Sequence, residues 1–141
     1  MPRFAANLSM MFNEWAFLDR FKAASDAGFD AVEFLFPYEH PAEKVGLALA
    51  GGELEQALFN LPPGDWNNGE RGMAAIPGRE AEFRAGIETA LAYVHETGVK
   101  RLHMMAGHAD PKDPAAQKAY RASIAYAADK LGEHGIDLLL E

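Results

Sequence analysis

The chain contains no cysteine, which excludes disulfides and every thiolate metal site. Its apolar runs stay within about six residues, far short of the ~20 that a membrane-spanning helix needs. No apolar segment of the signal-peptide type follows Met1-Pro2-Arg3-Phe4. These absences lead to the expectation of a soluble, cytoplasmic protein. Basic residues are scarce: 13 Lys and Arg stand against 21 Asp and Glu, a net charge of −8. Such a surface opposes contact with nucleic acid phosphates or an anionic membrane, so neither is expected as a partner. One or two local arginines still suffice for a small anionic substrate. There is no H-E-x-x-H segment and no convincing zinc spacing of histidines, and no serine sits in a nucleophile-elbow context.

What is present is the material of one globular domain spanning residues 1–141. Of the 141 residues, 49% are apolar and 24% charged, enough for a real core and far from the composition of a disordered chain. Strand-like apolar runs cover residues 4–10, 31–36, 54–60, 100–106 and 136–141. Between them, the i, i+3, i+4, i+7 spacing of apolar residues predicts helices over 14–27, 41–50, 80–97 and 114–133. Gly28, Gly98 and Gly135 stand where helices should stop. Residues 62–78 form a loop rich in Gly, Pro and Asn, longer than a usual strand-to-helix connection and therefore a candidate functional loop.

Five strands alternating with four helices imply parallel pairing with right-handed crossovers, an α/β fold. Two architectures satisfy this pattern. One is a five-stranded doubly wound sheet; the other is the first part of an eight-stranded barrel, whose usual length is ~250 residues. The first strand-to-helix turn, Ser9-Met10-Met11-Phe12-Asn13-Glu14, has no glycine and cannot cradle a pyrophosphate in the Gly-rich manner of dinucleotide-binding sheets.

Several side chains have the chemistry of a site. Glu141 follows three leucines at the C-terminal end of a strand, where a carboxylate can ligate a cation or move a proton; the plain alternative is a solvated terminal residue. Glu33 lies between Val32 and Phe34, and an acid inside a strand is either functional or held in a structural ion pair. Asn7 and Asn60 offer amides to a substrate's oxygens, or cap turns. His103 lies within the fourth strand, to position a substrate oxygen or to serve as a hydrogen-bonded core residue. The long loop carries Asp65, Trp66, Glu70, Arg71 and Arg79. Singly these read as surface residues; together they predict a substrate-binding lid, with a guanidinium to clamp a carboxylate and an indole to exclude water.

Five motifs in order carry a family resemblance. They are Arg3-Phe4-Ala5-Ala6-Asn7-Leu8-Ser9-Met10-Met11-Phe12, Val32-Glu33-Phe34-Leu35-Phe36-Pro37-Tyr38, Phe59-Asn60-Leu61-Pro62-Pro63-Gly64-Asp65-Trp66, Gly69-Glu70-Arg71-Gly72 and Ile76-Pro77-Gly78-Arg79-Glu80. Together they resemble the hydroxypyruvate isomerase family. The first of them and His103-Met104-Met105-Ala106-Gly107 are similar to the branch that isomerises 2-oxo-tetronates. The resemblance implies a xylose-isomerase-like TIM barrel, of which this chain is the N-terminal portion: about five parallel strands and four helices, not closed by this chain alone. It implies isomerisation of a small hydroxy-oxo acid, assisted by a divalent cation such as Mg²⁺ or Mn²⁺. Glu141 matches the family's fifth-strand glutamate, which binds the metal and exchanges the proton, and the remaining ligands lie beyond this chain. Completion then falls to a missing C-terminal half or to an oligomeric partner, although two such chains supply ten strands rather than eight. The alternative is a non-catalytic half-barrel that binds a ligand or partner. DNA repair on the same type of barrel is disfavoured by the net charge of −8.

Overall fold

The computed structural model describes residues 2–140. It divides into two compact units: the chain through Phe59 with Ala92–Lys100, and Asn60–Leu91 with the chain from Arg101 onward.

In the first unit, β1 (Ala5–Asn7), β2 (Ala31–Glu33) and β3 (Glu55–Gln56) form a sheet in the order β1-β2-β3. Both pairings are parallel, and the register sets Ala6 opposite Val32 and Asn7 opposite Glu33. Ala6 and Val32 are completely buried, so each strand spends its apolar residue on the core. It then ends on a polar one at the C-terminal edge. The helix expected over 14–27 begins later, as a 3₁₀ turn at Phe17–Asp19 leading into α1 (Arg20–Asp26). Phe12 at φ 60° and extended Ala16 keep the preceding residues out of the helix. The second helix, α2 (Ala42–Gly51), falls where it was expected. Phe21 meets Phe17 and Phe34 edge-on, and Phe34 stacks on Phe59 at 6.0 Å between ring centres. Such ring pairs add about 0.5–1.5 kcal/mol each beyond their buried area.

The strand expected over 54–60 is interrupted. Ala57 N donates to Val32 O (2.8 Å), and at that turn the Gln56 amide donates to Leu58 O (2.6 Å). The chain then resumes as β4 (Phe59–Asn60) in a second sheet. There the order is β4-β5-β6, with β5 at Arg101–Met104 and β6 at Asp137–Leu140. β5 and β6 are parallel, with His103 opposite Leu139. Glu141, expected to close this last strand, lies outside the described residues.

Two helices complete the elements. In α3 (Glu80–Thr97), Phe83, Ile87, Ala90 and Leu91 are buried, on the face the periodicity predicts. α4 (Pro114–Gly132) starts at Pro114 because Asp113 accepts a hydrogen bond from Ala115 N (2.9 Å) and proline needs no partner in a first turn. Its Ala116, Ala119, Ser123, Ala127 and Leu131 face inward. Ile87, Leu102 and Leu131 are fully buried, each stabilising the fold by about 1.5–3 kcal/mol. Among the described residues, no helix is long and apolar enough to cross a membrane.

Candidate active site

Polar side chains stand at the C-terminal ends of strands in both units, the end of a parallel barrel strand that carries chemistry. In the first unit, Asn7 closes β1 and Glu33 closes β2. Their register brings the Asn7 Nδ2 to Glu33 Oε1 at 3.0 Å. The other side of the amide is used as well, since Asn7 Oδ1 accepts from Ser9 N (3.0 Å). Ser9 Oγ in turn accepts from Leu35 N (2.8 Å). These bonds fix Asn7 in one orientation and stitch together the two loops that leave β1 and β2. Glu33 is half-buried, and among the described residues no cation pairs with it. The structural ion pair weighed for it is thus replaced by an amide donor. The signal that singles it out is an acid between Val32 and Phe34; the strand expected over 31–36 ends at Glu33 itself.

In the second unit, Asn60 is buried at the end of β4, and its Oδ1 lies 3.1 Å from His103 Nδ1 on the neighbouring β5. An amide oxygen accepts only, so the imidazole carries a proton on Nδ1. The Asn60 Nδ2 faces Met105 Sδ at 3.8 Å, and Leu61 N donates to His103 O (2.9 Å). Met105 stands in the sequence only as part of the His103-Met104-Met105-Ala106-Gly107 motif; its contact with Asn60 arises because β4 and β5 are neighbours.

The long loop is built rather than slack. A 3₁₀ turn at Trp66–Asn68 is capped by Asp65, which accepts from Asn68 N (3.1 Å). Gly72 bridges Ala106, Ala75 N donates to Ala106 O (2.7 Å), and Gly107 N donates to Arg71 O (3.1 Å). The approach requires glycine on both sides. At Gly72 (φ +111°) a Cβ would overlap Met105 O, and at Gly107 (φ +96°) it would overlap Gly72 O. These bonds hold the loop against the residues that follow β5.

Four expected loop residues form two pairs. The Arg71 guanidinium lies 3.7 Å above the Trp66 ring. Arg79 forms a two-bond ion pair with Glu70, 2.8 Å to Oε1 and 3.1 Å to Oε2, and a second with Glu82. The Arg79 hydrogen bonds, with a further bond from Asp65 N, lower the Glu70 carboxyl to about 2. Glu82 is lowered by Arg79 as well, and Arg79 is raised by Glu82 first and Glu70 second. The structure therefore joins Asn60 to His103, Trp66 to Arg71 and Glu70 to Arg79, while Asn7 belongs to the first unit with Glu33 as its partner. The Glu141 expectation falls outside the described residues. Among the described residues, no three His, Asp or Glu side chains converge as cation ligands. They do not by themselves form the oxygen-rich set a resident Mg²⁺ or Mn²⁺ takes.

The model of the xylose isomerase-like TIM barrel family matches residues 21–141. Over its whole length the chain is 54% identical to a 2-oxo-tetronate isomerase of Cupriavidus necator, covering 55% of that protein. It is 44% identical to a hydroxypyruvate isomerase of Escherichia coli, again covering 55%. A solved structure described as AP endonuclease, family 2, from Brucella melitensis is 52% identical, with a TM-score of 0.96 over 99% of this chain and 55% of that one. A D-allulose 3-epimerase from Methylomonas, at 16% identity and TM-score 0.73, shares the fold. The chain spans about half the length of the curated relatives it matches. With βα units in the expected order and polar groups at the strand ends, the chain belongs to the xylose isomerase-like TIM barrel family.

Proposed function

We propose that the protein to which this chain belongs isomerises a small hydroxy-oxo acid, 2-oxo-tetronate or hydroxypyruvate. The observation that carries this reading is similarity over the whole of this chain, and about half of theirs, to enzymes named for those two reactions, with Asn7, Glu33 and Asn60 at strand ends and His103 one residue before the end of β5.

The chemistry moves a proton between adjacent carbons while the carbonyl moves the opposite way. For a 2-oxo-tetronate, the proton leaves C3 to give an enediolate over C2 and C3 with the negative charge shared by O2 and O3; a proton returns to C2, and the hydroxyl proton passes from O3 to O2, leaving the carbonyl at C3. A carboxylate close to both carbons suffices for the transfer. Glu141 takes that role in the proposal through the resemblance, and a divalent cation belongs to the proposal on the same ground, with no step here routed through it. Within the second unit, the Asn60 amide and the His103 ring, each held by the other, are the groups proposed to meet substrate oxygens.

The test is ¹H NMR in D₂O with each acid and Mg²⁺ or Mn²⁺. Interconversion with deuterium entering at the reacting carbon supports the reading. A folded protein that leaves both acids unchanged overturns it and leaves a binding role.

The name of the Brucella relative supports a second reading, cleavage of DNA at abasic sites. The net charge of −8 opposes it. Tight, salt-sensitive binding to an abasic duplex would reverse that preference.

A further inference from the structure

The two guanidiniums of the long loop differ edge by edge. A guanidinium has five N–H donors and no acceptor. Arg79 gives Nε to Glu82 (2.6 Å) and Nη1 to Glu70 (2.8 Å). Its Nη2 reaches Glu82 (2.7 Å), Glu70 (3.1 Å) and Met73 Sδ (3.3 Å). All three nitrogens are engaged, and the cation sits between two carboxylates. A third carboxylate arriving there would meet net negative charge.

Arg71 is arranged the opposite way. Its Nη1 donates to two backbone carbonyls, Trp66 O (3.1 Å) and Glu70 O (2.7 Å). The Trp66 ring supports one face of the guanidinium. Among the described residues, no carboxylate pairs with Arg71, and its Nε and Nη2 make no hydrogen bond. The Nε–Nη2 edge is one that grips a carboxylate by two parallel bonds. The side chain is already ordered, so little rotamer freedom remains to be lost on binding. Its backbone is held by Gly107 N beyond the C-terminal end of β5. Beside it opens a cavity of about 200 Å³ whose walls include Asn68, Glu70, Arg71, Arg79 and the exposed His108. That is small beside the pockets of drug-sized ligands and suits the acid end of a short chain. Glu70 shares the wall, but its charge is matched by Arg79.

We propose that Arg71 is the residue that binds the substrate's carboxylate, through its Nε–Nη2 edge, and that Arg79 is a clamp of the loop with no substrate contact. The inference rests on the sugar-acid reading above and names the group that selects acids over neutral sugars at that site.

The probes are a tetronate lacking the oxo group, which cannot isomerise, and its neutral amide. Binding of each is measured by calorimetry to the wild type, Arg71→Gln, Arg71→Lys and Arg79→Gln. Arg71→Gln should lose roughly 10- to 100-fold in affinity for the acid and keep its affinity for the amide. Arg71→Lys should recover only part of the loss, since an ammonium lacks the fork, and it covers the case in which Arg71→Gln fails to fold. Arg79→Gln should keep the wild-type preference for acid over amide. An unchanged preference in both Arg71 variants overturns the proposal, as does a wild type with no preference. Binding of the acid that depends on Arg71 in a protein that isomerises nothing sinks the catalytic reading and keeps the subsite. Turnover with KM unaffected by Arg71→Gln does the reverse.

Discussion

Two arms along the long loop and the start of α3, Trp66 with Arg71 and Glu70 with Arg79 and Glu82, contain the same cation in opposite electrostatic settings. In the second arm the charge is matched internally, by two carboxylates within 3.1 Å of the guanidinium nitrogens. In the first, among the described residues, it is met only by carbonyl dipoles and an aromatic face. Matched charge gives a fixed shape; charge held in place but left without a counter-ion gives a binding edge. The difference also separates two kinds of consequence. Disturbing the matched arm should show in stability, and disturbing the other should show in recognition.

The largest way to break the distinction is to remove what both arms share. Gly72→Ala forces a Cβ against Met105 O at φ +111°, so the loop must leave its bridge to Ala106. We expect a loss of about 2–4 kcal/mol in urea unfolding. Preference for the acid over the amide should fall as well, because Arg71 is tied through its own carbonyl to Gly107 N. Wild-type stability in Gly72→Ala would show that the loop tolerates another path. Next in size is Arg79→Gln. It leaves Glu70 and Glu82 facing each other without a cation, in a site about a third to a half exposed. Tm in a thermal scan should drop by a few degrees, with ligand preference intact. A selective loss of acid binding would move the subsite to Arg79. Smaller still is Trp66→Leu, which removes the stacked ring. A cation–π contact of this exposure contributes about 0.5–1 kcal/mol, so acid affinity measured by the same calorimetry should fall only a few-fold.

This asymmetry is legible in the sequence only in part. Helix α3 lies at the bounds its periodicity predicts, because its apolar stripe recurs at the helical spacing. The same periodicity places Glu82 three positions after Arg79, the separation of a helical ion pair, so half of that clamp follows from spacing alone. Arg71 offers no such clue. Its role depends on the bridge between Gly72 and Ala106, a long-range contact that no local periodicity encodes. The Asn60–His103 pair likewise needs β4 beside β5, and the break between β3 and β4 follows from a change of partner that a period of two cannot announce. That Asn7 and Glu33 lie on strands is readable, but not that those strands end on them, since the apolar runs continue to residues 10 and 36; their mutual bond needs the register of β1 against β2, which neither run encodes.

The smallest effect is also the most specific to the matched arm. Glu70 is lowered from its ordinary value to about 2 by the bonds from Arg79 and Asp65 N. A carboxyl whose folded value lies below its unfolded value contributes stability that is fully present above the unfolded value, near 4.5. That contribution declines as pH falls and is gone once pH passes below about 2. Arg79 is raised and stays charged throughout that range, so Glu70 and, to a lesser degree, Glu82 govern the titration of this arm. Glu70→Gln should therefore be less stable than wild type at neutral pH, and the gap should narrow steadily between about pH 5 and about pH 2 in urea unfolding. A gap that stays constant with pH would mean the Glu70 contribution is steric rather than ionic. The contrast with Arg71 would then rest on shape alone.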